Sequence, residues 1–397
     1  MIHLGFLLHI YQPPNQFDDV LAKVVEECYR PLLKLVNSRS NASFTFNVNW
    51  SLTEKLLQSG YLDLIDSLRL ALKNNRIEIT GTSAYHAILP LIPRTEQVRQ
   101  ILLNYEKSRK VFGEAYQPRG FFPPEMAFGH EIIETIKDLG YKWTITDDIP
   151  FTCLHSEVPY NYIVTVDGLP VFLRSNHWSN KISLLTDESG KKYSGKTIAD
   201  WLIEDMSRWF GGRDGYIILA MDGETFGHHI KGYIELFLAQ FLEEIGRHPA
   251  KIRMAHLSDL LEHFPRQEAE VPPGSWSTSP EDFWEGNFFP LWKNKYNEAH
   301  NLLWALTDLA LQAVNKLHER LDKSLNSCTF WWTAVKPEEA SPITFSGIEM
   351  LMDVIRQSDP KSLPRALEIR SSLERLMAYR ASMQIDPEEQ VAMDLQW

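Results

Sequence analysis

Residues Ile217-Ile218-Leu219-Ala220-Met221-Asp222-Gly223-Glu224-Thr225-Phe226-Gly227-His228-His229 join an unbroken apolar run directly to two carboxylates and two imidazoles. A run this short reads as a strand buried on both faces. A polar burst at its carboxyl end is what a parallel α/β barrel places at the face that collects reactive groups. Packing alone does not explain so many titratable groups in one place. The stretch therefore predicts both a fold class and the end of the molecule where chemistry sits.

Working outward, short apolar runs alternate with longer segments of helical period through the first two thirds of the chain, the pattern of βα units around a parallel sheet or barrel. The runs are Leu4–His9, Ser43–Val48, Arg76–Thr80, Gly120–Phe122, Trp143–Thr146, Val171–Arg174, Tyr216–Met221 and Ile252–Ala255. Between them, Val20–Val36, Thr53–Asn74, Glu96–Val111, Glu131–Leu139, Lys196–Phe210 and Tyr233–Gly246 carry apolar residues at three- and four-residue spacing. The pattern then breaks into Val271-Pro272-Pro273-Gly274-Ser275-Trp276-Ser277-Thr278-Ser279-Pro280, a long loop. Beyond it Trp292–Lys323, Glu338–Gln357 and Leu363–Tyr379 read as helices packed on the barrel. The expected organisation is a catalytic barrel over residues 1–265, a loop or linker contributing to the active-site groove over 266–290, and a helical domain over 291–397.

Composition bounds the function. The chain has 397 residues, 44% apolar and 23% charged, within the range of globular proteins and outside that of disordered ones. Its net charge of −12, with no long basic run, argues against nucleic acid or an anionic membrane as the main partner. Cys28, Cys153 and Cys328 form no CxxC pair, and the apolar amino terminus lacks a basic region and a cleavage site, so a reduced, cytoplasmic setting is expected. Twelve Trp, 14 Tyr and 20 Phe exceed the needs of packing and offer platforms for sugar-like ligands.

Four strand ends carry the chemistry. His9-Ile10-Tyr11-Gln12-Pro13-Pro14 ends the first strand at two prolines. Ile77-Glu78-Ile79 leads to His86. Phe121-Phe122-Pro123-Pro124-Glu125-Met126-Ala127-Phe128 sets one carboxylate among apolar neighbours, which is either a buried functional acid or the first-turn glutamate of a helix. The fourth is the run ending at Asp222. Two reaction classes use such groups: glycoside hydrolysis by paired carboxyls held about 5–5.5 Å apart, with Glu125 and Asp222 as the pair, and metal-assisted hydrolysis, as in a deacetylase, with His9, Asp222, His228 or His229 as ligands. Adjacent imidazoles seldom converge on one ion, which ranks the second class below the first.

Taken in order and spacing, His9-Ile10-Tyr11-Gln12-Pro13, Ile77-Glu78-Ile79 through His86, Phe122-Pro123-Pro124-Glu125 and Met221-Asp222-Gly223-Glu224-Thr225-Phe226-Gly227 resemble the first four motifs of glycoside hydrolase family 57. Gly274-Ser275-Trp276 resembles the fifth, and Asn326-Ser327-Cys328 with Trp331-Trp332 resembles a downstream helical region that closes the substrate groove. The resemblance implies an incomplete (β/α)7 barrel followed by a helical region, acting on α-glucans by a retaining double displacement with neither metal nor cofactor. Amylase-like hydrolysis is its first reading; 4-α-glucanotransfer or branching follows by the same chemistry. It places Glu125 as nucleophile and Asp222 as general acid/base, and marks His9, Gln12, Glu78, His86, Trp276 and Trp331 as candidate substrate-binding residues. For that chemistry Glu125 must be ionised while Asp222 carries a proton. The chain departs from the family pattern at Tyr11, where many members have His, and at His228-His229, where some have Trp. Asp147-Asp148 reads either as a substrate-orienting pair or as a solvated turn, and Trp284 as a further sugar platform.

Overall fold

The structure is a computed structural model of the chain and describes residues 1–186, 188–313, 318–335 and 342–382. Its strands are β1 (Ile2–Ile10), β2 (Phe44–Val48), β3 (Ile77–Ile79), β4 (Gly120–Phe121), β5 (Trp143–Asp147), β6 (Ile163–Val166), β7 (Leu169–Arg174), β8 (Gly215–Asp222), β9 (Ile252–Ala255) and β10 (Arg266–Glu268). Seven of these run parallel around one curled wall in the order β1-β2-β3-β4-β5-β7-β8. Two seams are thin. At the first, the Gly81 N–H donates to the Gly120 carbonyl (2.8 Å) and the Phe122 N–H to the Gly81 carbonyl (2.9 Å), joining β3 to β4. At the second, the Ser175 N–H donates to the Ile218 carbonyl (2.8 Å), joining β7 to β8. This is the incomplete (β/α)7 barrel expected from the sequence.

Side-chain alternation along the strands places the reactive groups. On β8, Tyr216, Ile218 and Ala220 enter the barrel interior with Leu7 of β1, whereas Ile217, Leu219 and Met221 pack outward under the helices. Successive strand residues face opposite sides. His9 and Asp222 continue the inward set and lie side by side in register, so both reach the carboxyl-end mouth of the barrel. Gly120 permits the close approach of β4 to β5, because a Cβ there would lie 1.9 Å from the Trp143 ring. That indole is fully buried and donates to Ser258 Oγ at 2.9 Å.

Several elements differ from the sequence reading. Thr53–Asn74 is two helices, Trp50–Gln58 and Leu62–Lys73, parted at Gly60, whose φ of 78° no helix accommodates. The segment expected as one helix over Val20–Val36 widens into a π-helical turn at Val25–Tyr29. Pro31 has no N–H to close the next turn onto the Glu27 carbonyl. The strands β6 and β10 were not anticipated; β6 pairs antiparallel with β7, and β10 pairs with β6. The helix expected from Trp292 begins at Glu298, and the start expected at Glu338 lies outside the described residues, the helix there being described from Pro342.

The helices Glu298–Ala313, Pro342–Ser358 and Leu363–Ser382 are not a separate body. Leu303, Leu306, Ile348, Leu351, Met352, Ile369 and Leu373 share one apolar core with Ile132, Ile133, Val171 and Leu173 of the barrel. Trp292 and Trp304 belong to that core, the Trp304 indole N–H bonding to the Trp292 carbonyl (2.8 Å). Burying residues from both regions in one core fixes the turn at Ser327 against the barrel mouth.

Candidate active site

The first reactive group is built by the turn that follows β4. Pro123 and Pro124 end the strand, and Glu125 and Met126 then take φ of 60° and 51°, a left-handed conformation that costs a non-glycine residue of order 1–3 kcal/mol. Hydrogen bonds from Met126 N–H to the Pro123 carbonyl (2.8 Å) and from Ala127 N–H to the Pro124 carbonyl (3.0 Å) hold the turn. Glu125 is thus no ordinary helix-start glutamate. Its carboxylate, 13% exposed, accepts from Trp276 Nε1 on Oε2 (2.9 Å) and from Ser327 Oγ on Oε1 (3.1 Å), with His86 Nδ1 at 3.5 Å from Oε1. The backbone N–H of Trp276 donates to the Glu125 carbonyl (3.3 Å). Burial and the charge of Asp222 push the Glu125 carboxyl up to about 8, against the pull of its two donors.

Asp222 stands at the end of β8 beside His9. Its side chain receives no hydrogen bond among the described residues. Burial raises its pKa, while Arg174 favours its anion. Arg174 is itself buried and fully engaged. Its Nε donates to the Ala220 carbonyl (2.7 Å), Nη1 to Asp147 Oδ2 (2.6 Å) and Nη2 to Asn180 Oδ1 (2.8 Å). Asp147 is therefore a buried structural partner of Arg174 and not a solvated turn. Asp148 accepts from Asn176 N–H (3.1 Å), and burial beside Asp147 raises it to about 8.

Rings line the mouth. Tyr11 stacks on His86 (4.0 Å between centroids), His86 on His9 (4.8 Å) and His9 on Phe122 (5.1 Å), with Trp276 edge-on to His9 (5.8 Å). Burial holds His9 and His86 below the usual histidine range, hence neutral. Asn47 spends its amide N–H on Thr80 Oγ1 (2.9 Å), so its oxygen must accept from His9 Nδ1 (2.7 Å), which leaves His9 Nε2 unprotonated.

The other residues singled out by sequence separate into two groups. His9, His86 and Trp276 join Glu125 and Asp222 at the mouth. Gln12 and Glu78 have partners elsewhere. Gln12 donates to Tyr29 Oη (3.2 Å) and Glu224 Oε1 (3.5 Å), buttressing a buried carboxyl that also accepts from Tyr29 Oη and from Tyr11 N–H (3.3 Å) and is pushed up to about 8. The wide turn at Val25–Tyr29 is what brings Tyr29 there, with Cys28 Sγ on the Gly223 carbonyl. Glu78 lies two residues below the level of His9. It accepts from Thr45 Oγ1 (2.7 Å) and from Ser258 N–H (3.1 Å), tying β2 and β3 to the helix after β9. Trp331, on the helix Cys328–Val335, stands edge-on to Trp332 (4.9 Å) beside the helical core. Trp284 is 69% exposed.

Sequence reasoning did not assign Ser327, Asn47, Arg174 or Tyr29. Ser327 falls in the Asn326-Ser327-Cys328 segment noted above but without a role, because its Glu125 partner, like the Glu224 partner of Tyr29, lies far away in sequence. The histidine pair His228-His229 does not join Asp222 in a ligand set: His228 Nδ1 pairs with Glu27 (2.8 Å), which Lys231 also engages. Among the described residues the acid and imidazole group with ligand spacing is Asp200, Glu244 and His248 on outer helices, where Lys196 and Arg247 already pair with the acids.

One strained, doubly hydrogen-bonded carboxylate facing one carboxyl without a donor is a pair able to divide nucleophile and proton-donor roles. The sequence model of glycosyl hydrolase family 57 matches residues 8–272, a span that contains both carboxyls. The chain belongs to glycosyl hydrolase family 57. An α-amylase of Pyrococcus horikoshii is 29% identical to this family 57 chain over 152 residues, 38% of the chain and 23% of the relative. The alignment therefore spans about a quarter of that relative's length. The solved 4-α-glucanotransferase of Thermococcus litoralis superposes with a TM-score of 0.72 at 20% identity, covering 89% of this chain and 60% of that one. A family 57 branching enzyme of Pyrococcus horikoshii superposes with a TM-score of 0.65 at 15% identity, covering 95% and 94%. These likenesses show a shared fold extending through the helical region.

Proposed function

We propose that this family 57 chain cleaves α-glucosidic bonds in oligo- or polyglucans by a retaining double displacement, amylase-like in outcome, with Glu125 as nucleophile and Asp222 as general acid/base. The observation that carries this reading is the asymmetry of the pair: each Glu125 oxygen is held by one donor, while the Asp222 carboxyl is left free to meet a substrate oxygen. In the first step Asp222 protonates the leaving oxygen as Glu125 attacks the anomeric carbon. In the second, Asp222 takes a proton from water, or from a sugar hydroxyl, which then releases the glycosyl group. Water gives hydrolysis; a sugar hydroxyl gives transfer.

The proton has to move for this to work. In the free site burial raises both carboxyls, Glu125 to about 8 with only neutral donors beside it, while Arg174 pulls the Asp222 carboxyl back toward its anion. As the glycosidic bond stretches, positive charge grows at the anomeric carbon beside Glu125 and negative charge on the leaving oxygen beside Asp222. Both changes favour ionised Glu125 and protonated Asp222, so the productive arrangement is the one the transition state selects.

His9, His86 and Trp276 then form the walls against which the sugar at the cleavage point is held. Gln12 and Glu78 act from behind that wall, Gln12 through Glu224 and Glu78 through the strand ends. Trp331 and the exposed Trp284 contact more distant sugars. Residues 1–265, 266–290 and 291–397 contribute the barrel, the Trp276 loop and the helical cover, and the setting is the cytoplasm. The test is a product-resolved time course on maltoheptaose and amylose, with Glu125→Gln alongside. Shorter products with rising reducing ends support hydrolysis; longer products at constant reducing ends support transfer. Full turnover by Glu125→Gln, or no product from the wild type over a day, overturns the assignment.

A further inference from the structure

We infer that Ser327, on the turn entering the helix Cys328–Val335, is a positioning residue for the Glu125 carboxylate and makes the helical region part of the catalytic centre. This rests on the reading of Glu125 given above. Three hydrogen bonds converge on this one fully buried residue. Its N–H donates to the His86 carbonyl (3.1 Å), its Oγ lies 2.7 Å from His86 Nδ1, and its Oγ donates to Glu125 Oε1 (3.1 Å).

The chemistry of a hydroxyl orders these contacts. Ser327 has one proton, and once Glu125 is ionised, as it must be to attack, its carboxylate can only accept, so in that form the proton points to Glu125. The short contact with His86 must then run the other way, from Nδ1–H to Oγ. This fixes the imidazole as the neutral Nδ1–H tautomer. The opposite nitrogen agrees, since Nε2 is buried without a partner and so has no acceptor for a proton of its own. The relay runs His86 Nδ1–H to Ser327 Oγ–H to Glu125 Oε1. The Ser327 hydroxyl links ring and carboxylate from one side, at 2.7 and 3.1 Å, where their own separation of 3.5 Å is long for a direct bond.

Backbone geometry supports the same role. His86 and Glu125 both have φ of 60°, and the Ser327 N–H on the His86 carbonyl and the Trp276 N–H on the Glu125 carbonyl pin those two residues. The turn carrying Ser327 is itself fixed, with Asn326 Oδ1 accepting from Thr329 N–H and Oγ1 (3.3 Å each). One oxygen of the nucleophile is thus oriented by the barrel loop through Trp276, and the other by the helical region through Ser327. Neither donor carries charge, so both orient the carboxylate and favour its anion.

The test compares Ser327→Ala and Ser327→Thr with the wild type in kcat and KM on maltoheptaose across pH, with melting curves to confirm folding. The titratable groups facing Glu125 are Asp222 from β8, His86, Tyr11 and Cys328, and neither substitution removes any of them. Losing a bond to a charged acceptor should lower kcat by roughly 10- to 100-fold. KM should change far less, and the alkaline limb of the profile, which the Glu125 value of about 8 sets, should move up by about one pH unit. Ser327→Thr, which keeps the hydroxyl, should restore both. An unmoved limb with kcat within about twofold of wild type, or a threonine variant as impaired as the alanine one, overturns the inference. If the wild type turns over no glucan, the functional reading fails separately, and a carbon-13 titration of the Glu125 carboxyl still decides: a pKa equal in wild type and Ser327→Ala refutes the relay.

Discussion

Replacing Trp276 by Phe removes one hydrogen and leaves a ring in place. The indole N–H donates to Glu125 Oε2 at 2.9 Å, while the rest of the ring packs edge-on to His9 (5.8 Å) and Phe122 (6.2 Å). Phenylalanine keeps those contacts and the backbone bond to the Glu125 carbonyl, so the change isolates one donor to a charge. Such bonds contribute about 1.5–3 kcal/mol, and each ~1.4 kcal/mol is a factor of ten in rate. The transition state, in which Glu125 is anionic until it bonds the sugar, should therefore lose about 10- to 150-fold in kcat/KM. The carboxyl, already pushed up to about 8, should rise by about one to two further units. Steady-state kinetics on maltoheptaose, with the carboxyl followed by carbon-13 titration, reads both quantities. A rate within twofold of wild type and an unmoved titration would refute the view that Trp276 orients and charges the nucleophile.

Three further outcomes follow from the same geometry. The pair loses its last proton near the Glu125 value of about 8, so kcat/KM should fall above that pH because Asp222 can no longer protonate the leaving oxygen; a rate still rising beyond pH 9 would contradict this. Glu224 titrates near 8 in the fold against an ordinary value of 4.5, so folding takes up a proton in that window and wild-type stability declines as pH rises through it. Calorimetry should show Glu224→Gln gaining on the wild type between about pH 5 and 8, with a flat difference above, and a pH-independent difference would remove the buried protonated carboxyl. Gly120→Ala puts a Cβ 1.9 Å from the Trp143 ring between two strands, so the melting temperature should fall by an overpacking cost of about 1–3 kcal/mol or more; an unchanged melting point would show that β4 and β5 do not approach as described.

What could be read from sequence followed from how local the signal was. β1 and β8 announce themselves as apolar runs because helices cover their outer faces, and Asp222 stands out as the polar stop of such a run. Glu125 stands out as one acid among apolar neighbours, although its left-handed backbone has no signature beyond the two prolines. β6 was within reach, since Asp167-Gly168, both at positive φ, is a tight-hairpin turn between two apolar runs. β10 was not, because Arg266-Gln267-Glu268 is exposed and pairs through its backbone. The same contrast divides the site. Ser327 lies 202 residues from Glu125 and Tyr29 lies 195 from Glu224, so their roles exist only through tertiary contact. Glu78 drew notice as an acid on a strand, yet only the fold shows that Thr45 and Ser258 engage it.

The central claim is that Glu125 becomes covalently linked to sugar while Asp222 manages protons. The most direct measurement is mass spectrometry of the Asp222→Ala variant after incubation with α-maltosyl fluoride, whose leaving group needs no acid and whose adduct then lacks a base for its release. The account predicts a maltosyl adduct on the peptide carrying Glu125, absent in the Glu125→Gln, Asp222→Ala double variant. Turnover of the fluoride with inversion at the anomeric carbon and no adduct, or an adduct on a different residue, would contradict it.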